Sequence, residues 1–347
     1  MWLVVNLGGA QKAPPFPIHF TNNSRRLKMG NLREHEVHSA ALMGLGFVPG
    51  EVHYAAKGTA VPYGFLRDNR KLMASRLHPT ILEAYKTAGI INGNNNVVVV
   101  SPDSHTQSAA LTLDKNMTHV VGAYPSVMMS QRSRIGHDAN VDALITLSGY
   151  GNLLKNLYVM HGRGSATNLH ALEITGERNT LQNFHLGGPM HATEAGTAGY
   201  SNLELTAAAE CYFKSCVFGT DTIARSAANS ILRIGAQGVR NIFEDCVFLM
   251  SASAATPYFI EILVGVTYGW TLFRNCQFIN TGTALTVGIL NSSVAYGHKL
   301  IFDSQSFMVG ATDVIAAAGE ASVVQGNGGF CAADETVLLA TAYDHTA

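Results

Sequence analysis

Apolar and polar residues alternate in short runs over most of the chain, the two-residue period of a strand whose successive side chains face opposite sides. The clearest runs read FKSCVF from Phe213, FEDCVF from Phe243 and FRNCQF from Phe273. Looser copies stand at LKNLYV from Leu154, LQNFHL from Leu181 and FDSQSF from Phe302, so successive starts are 27, 32, 30, 30 and 29 residues apart. Self-similarity at this period predicts a repeat architecture. Within FKSCVF the alternation turns Phe213, Cys216 and Phe218 inward and Lys214 and Val217 outward. The third position of the six copies is Asn156, Asn183, Ser215, Asp245, Asn275 and Ser304. These residue types bond locally at bends and several accept left-handed backbone, so the position reads as a corner between two strands.

A second phrase precedes each copy by 9 to 17 residues: ITL from Ile145, LEI from Leu172, LEL from Leu203, LRI from Leu232, IEI from Ile260 and LTV from Leu285. Each repeat then holds a strand, a connection of variable length, a second strand, a fixed corner and a third strand. Three short strands per turn, stacked at about 4.8 Å, predict an all-β chain coiled as a right-handed parallel β-helix. Differences in repeat length fall in the connections, where insertions are tolerated.

These phrases, with aromatic, Asn, Cys and Phe in register, resemble coils of the pectate-lyase-like β-helix superfamily over roughly residues 94 to 324. The resemblance implies an asparagine-type ladder through Asn156, Asn183, Asp245 and Asn275, and inward stacks of Phe and of Cys216, Cys246 and Cys276. It speaks to scaffold more than to chemistry, because one fold hosts many functions.

The expected organisation has four parts. Residues 1–77 do not repeat and contain Pro14, Pro15 and Pro17, which predicts an irregular arm. Residues 78–92 carry HPTILEAYKTAG, read as a helix with Pro79 in its first turn, Ile81, Leu82 and Tyr85 on one side and Gly89 as its stop. Such a helix would cap the open end of the coil stack. Residues 93–324 form the β-helix, its stack started by Val97, Val99, Leu111, Leu113, Val120 and Gly122. Residues 325–347 form a tail that caps the far end or contacts a partner.

Composition supports a long apolar interior: 47% of residues are hydrophobic and 14% charged. Net charge is −1 but unevenly spread, with 11 Lys and Arg against 5 acids over residues 1–90 and 12 against 19 beyond. A mildly basic arm on an acidic body points to docking on an acidic partner or a neighbouring subunit, with Arg25, Arg26, Lys28 and Arg33 as contacts, and is too weak for nucleic acid. MWLVVNL at the start is short and lacks a preceding basic residue and a cleavage site, so neither a signal peptide nor a membrane span is expected. Of five Cys, the three in one inward column have parallel Cβ directions, which favours free buried thiols.

Two outward columns hold the candidate chemistry. Thr146, Glu173, Glu204, Arg233, Glu261 and Thr286 line one strand, with Glu173 and Glu204 about 5 Å apart, near the separation of a retaining glycosidase pair. Arg233 between Glu204 and Glu261 fits a charge ladder better, as do Lys214, Glu244, Arg274 and Asp303 on the next strand. The signatures of known β-helix enzymes are missing, including adjacent Asp pairs, a Gly-His-Gly and a Trp-x-Asp-His. His35, Glu36, His38, His53 and His78 match no strong zinc spacing, so no metal and no cofactor is expected. GRGSATNLH at Gly162 and LGGPMHATEAGTAGY at Leu186 fail the phosphate-loop template and read as flexible or partner-contacting loops.

Within that superfamily the chain most resembles phage virion-associated β-helix proteins, and the resemblance implies a structural virion protein of a bacteriophage, not an enzyme. It is a homotrimeric capsid decoration or cement subunit that binds the major capsid protein or other virion proteins, with no nucleic-acid or membrane partner. The alternative is a receptor-binding tailspike or fibre that binds or depolymerises host surface polysaccharide, with Tyr158, Tyr212 and Tyr268 as stacking platforms.

Overall fold

The structure, a computed structural model, describes residues 49–56, 75–87, 89–123, 133–137, 141–161, 169–266, 268–292, 298–315 and 323–325. Within them the strands form three parallel sheets of eleven, eight and eight, and the chain visits the sheets in rotation. This is a right-handed parallel β-helix. Sheet A runs from Leu77–His78 to Val323–Gln325, sheet B from Ser104–Gln107 to Phe307–Val309, and sheet C from Leu111–Leu113 to Ala311–Ile315. One continuous apolar core fills the coil interior.

The repeated phrase straddles the corner from sheet A to sheet B. Phe213 pairs with Phe243 and Phe243 with Phe273 in sheet A, while Phe218, Phe248 and Phe278 pair in sheet B. Their rings stack at 4.2 to 5.2 Å, close to the coil spacing, so each added coil extends two aromatic columns. At the corner Asn156, Asn183, Ser215, Asp245 and Asn275 have φ of 57°, 47°, 51°, 55° and 48°. The turn aims the N–H of Asn183, Ser215 and Asp245 at the carbonyl of the next coil, at 3.0, 2.9 and 3.0 Å. Side chains bridge coils as well, Asn183 Nδ2 donating to Asn156 Oδ1 and Asn275 Nδ2 to Asp245 Oδ1, both at 2.8 Å.

A second left-handed column, which the sequence does not announce, stands just before sheet A at Met117, Arg178, Glu210 and Arg240. Behind it lies a fully buried ladder in which Asn152 Oδ1 accepts from Thr118 N, Asn179 Oδ1 from Asn152 N and Asn241 Oδ1 from Cys211 N, at 2.7 to 2.9 Å. Each amide satisfies a backbone donor that the corner would otherwise strand in the core.

Several expectations change. Val52–Ala55, placed in the arm, is a sheet A strand paired with Asn96–Val100, and Leu77–His78 flanks it. A lone four-residue strand has no repeat to reveal it. The helix, α1, spans Ile81–Lys86; Thr80 caps it by accepting from Glu83 N, and Thr87 ends it before Gly89. Ile81, Ala84 and Tyr85 are buried in the core. In the first full coil Val98 and Val100 enter the core, whereas Val97 and Val99 join a separate cluster with Val52 and Val121. All four valines are buried, so alternation there carries no sign.

Two late registers also move. Ile260 pairs with Ile289, not Leu285, because LTVGILN offers the same alternation at either position. At the last corner Met308 takes the place after Phe278, since one extra residue separates it from Phe302; Phe307 turns outward and Ser304 is not left-handed.

Candidate functional site

The acidic column lies on the outer face of sheet C, where Thr146, Glu173, Glu204, Arg233 and Glu261 occupy neighbouring coils in register. Leu290, not Thr286, stands next to Glu261. Arg233 bridges the coils on either side, its Nε 3.0 Å from Glu261 Oε2 and its Nη1 3.4 Å from Glu204 Oε2. His170 Nδ1 approaches Glu204 Oε2 at 3.0 Å and Ser201 Oγ at 2.9 Å. The trio looks like a nucleophile, base and acid, but both partners meet the same ring nitrogen. A triad needs them on opposite nitrogens, so that the proton taken from serine and the orienting bond to the acid do not compete.

Glu204 is likewise tuned away from proton donation. Burial alone would push its carboxyl up, but the hydrogen bond and charge of His170, with Arg233, outweigh burial and hold it below the usual carboxylate range. A general acid requires the opposite shift. Thr206 Oγ1 lies 3.1 Å from Glu173 Oε1 and 3.4 Å from Glu204 Oε1, which brings the two carboxylates to one hydroxyl.

On sheet A, Glu244 sits between Lys214, at 2.7 Å, and Arg274, at 3.7 Å. Asp303 departs from this ladder: its carboxylate accepts from the backbone N–H of Asn275 and Ser306 and closes the enlarged last corner. A third ladder, unforeseen, joins Arg178 and Arg240 to Glu210 at 2.8 and 3.0 Å on the left-handed column. Glu204, Glu261, Glu244 and Glu210 thus each meet a basic side chain of the same chain, whereas Glu173 meets the Thr206 hydroxyl.

In the segment from Leu186, Ala192–Ala195 forms a short helical turn, α2, that buries Glu194. Glu194 pairs with the buried His161. Nearby, the buried Arg225 donates to Asn229 Oδ1 at 3.0 Å, to Ser230 O at 3.1 Å, and to Asn202 Oδ1. Burial pulls the Arg225 guanidinium down to about 10 and pushes the Tyr200 phenol up. No periodic signal flags this cluster, since Arg225 and Glu194 sit in connections between phrases. The insertion from Gly162 lies mostly outside the described residues.

The thiols of Cys216, Cys246 and Cys276 are free, buried and aimed at carbonyls of Leu181, Phe213 and Phe243 at 3.4 to 3.5 Å. Burial raises the Cys246 and Cys276 thiols far above the reactive range. The tyrosines do not form one platform: Tyr158 packs at a tilt against His185 in sheet B with ring centroids 4.5 Å apart, Tyr212 lies in sheet A, and Tyr268 is exposed before it. His53 Nδ1 and His78 Nε2 are 3.0 Å apart with ring centroids at 5.2 Å, a head-on imidazole hydrogen bond. Among the described residues no group of three or more His, Cys, Asp or Glu could hold a metal, and no helix is long and apolar enough to cross a membrane. His35, Glu36, His38, Arg25, Arg26, Lys28 and Arg33 lie outside the described residues.

No protein-family profile matches the chain, and no curated protein does. Among solved structures it is similar to a pectin methylesterase from Aspergillus niger, with 16% identity, a TM-score of 0.47, and coverage of 81% of this chain and 86% of that one. It is also similar to the ORF18 protein of Geobacillus virus E2, with 12% identity, a TM-score of 0.32, and coverage of 67% and 54%.

Proposed function

We propose that the chain is a structural protein of a bacteriophage particle, a β-helix subunit that decorates or cements the capsid as a homotrimer. The N-terminal region, with Arg25, Arg26, Lys28 and Arg33, would hold it to the major capsid protein or other virion proteins. The phage assignment follows the superfamily resemblance of the coils. The observation that carries the non-catalytic part is the commitment of Glu204 to Arg233 and His170, which leaves the acidic column a ladder rather than a poised acid pair. Because Val52–Ala55 belongs to sheet A, the test is deletion of residues 1–48. A soluble β-helix that no longer attaches to particles is expected; full occupancy by the shortened chain would overturn the anchor.

The second reading is a tailspike or fibre acting on host polysaccharide, favoured by the shared contact of Glu173 and Glu204 with Thr206. Incubation with a panel of bacterial polysaccharides is expected to release no oligosaccharide. Cleavage that disappears in Glu173→Gln or Glu204→Gln would establish this reading instead.

A further inference from the structure

On the outer face of sheet B the last three coils present two parallel columns. Val247, Gln277 and Phe307 form one; Leu249, Ile279 and Val309 form the other, while Val217 and Gly219 in the coil before them are buried. Neither contains a formal charge. Exposure grows toward the C-terminal coils, from 8% at Leu249 to 38% at Phe307 and 46% at Val309. Beside these columns the corner into sheet C, at residues 251–257 and 281–284, is built from Ser, Ala, Thr, Pro and Gly alone. Formal charge is instead concentrated elsewhere, on the ladder of Lys214, Glu244 and Arg274 and on that of Arg178, Glu210 and Arg240.

Phe307 and Val309 sit two residues apart on the last strand of their sheet, and the extra residue at the preceding corner is what turns Phe307 outward. An exposed apolar strand at a sheet edge invites association, and soluble proteins normally blunt it with charge or proline. Here neither device is used at either position.

We propose that this outer face of sheet B is a subunit interface, and that its occupant is a second copy of this chain lying alongside with its coil axis parallel. Two features select a copy over another partner. An uncharged face meets an uncharged face without desolvating an ion, whereas an anionic glycan or an acidic protein would find no counter-charge on it. A copy also repeats at the same spacing of about 4.8 Å, so ridges and grooves made by Val247, Ile279 and Val309 meet matching ones at each of these three coils. A rotation axis parallel to the coils keeps each coil at the height of its counterpart and closes the assembly. The inference rests on the homo-oligomeric reading above and adds the face that forms it.

The experiment measures native mass and dissociation of the full chain beside Ile279→Lys and Val309→Lys, with circular dichroism to verify the coil. The wild type is expected to be oligomeric, and each variant to dissociate at least tenfold more readily. A monomeric wild type at high concentration would sink both the oligomer and the face. An oligomer equally stable in both folded variants would sink the face alone. If the lysine variants fail to fold, Val309→Cys in a Cys331→Ser background decides: its maleimide reaction should slow as protein concentration rises, and a rate independent of concentration overturns the proposal.

Discussion

Arg225 is enclosed within the fold, yet its guanidinium bonds to the amides of Asn202 and Asn229 and a backbone carbonyl, with no carboxylate among those contacts. A buried charge solvated by neutral dipoles in this way is costly to disturb, because its removal strands two buried amide oxygens and leaves a cavity. Arg225→Ala is expected to lower unfolding stability by about 3 kcal/mol or more, measured by urea denaturation. Lys214→Ala, which removes a half-exposed ladder member screened by solvent, should cost far less. A smaller effect for Arg225 than for Lys214 would overturn this ranking. At this scale alternation alone assigned Phe213, Cys216 and Lys214 to their sides, because inward and outward positions differ in residue type. It could not find Arg225, which lies beyond the last regular pairing of its strand, where the register shifts between Thr220 and Arg225.

The first strands of sheet A are an element with its own acid sensitivity. Burial, together with the charge of nearby His78, draws the His53 imidazole down to about 4, and burial alone does the same at His119. Since the folded form disfavours the proton, the unfolded chain binds more protons once pH drops below its ordinary 6.5. Stability is therefore complete above that value, falls as pH descends toward 4, and levels off below. The slope should be about 1.4 kcal/mol per pH unit for each histidine. Denaturation series across this window in wild type and His119→Gln measure it; an unchanged slope in the variant would remove His119 from the account. Elements with a repeated partner were legible from sequence, as the phrases at Phe213, Phe243 and Phe273 demonstrate. Val52–Ala55 and Ile289 were not, the first because nothing repeats it and the second because Leu285, Val287 and Ile289 satisfy one alternation equally.

As a whole molecule the β-helix was readable because one phrase is used many times, and an error in any single copy is corrected by its neighbours. The candidate site was less readable, since Glu204 resembles a catalytic acid until Arg233 and His170 are placed beside it in space. The inter-coil bonds at the corners, such as Ser215 N to Glu244 O and Asp245 N to Arg274 O, run along the stacking direction. Their mechanical consequence is anisotropy. Tension along the axis loads one coil boundary after another, in series, whereas a force across the stack is resisted by many boundaries at once. Pulled from its two ends, the chain is expected to yield in steps of one repeat, 27 to 32 residues, each releasing about 100 Å of chain. A single all-or-none rupture in a force spectrometer would contradict this. On a surface stretched in its own plane, such a subunit resists best when its axis stands normal to that plane, so that the load crosses its coils in every direction.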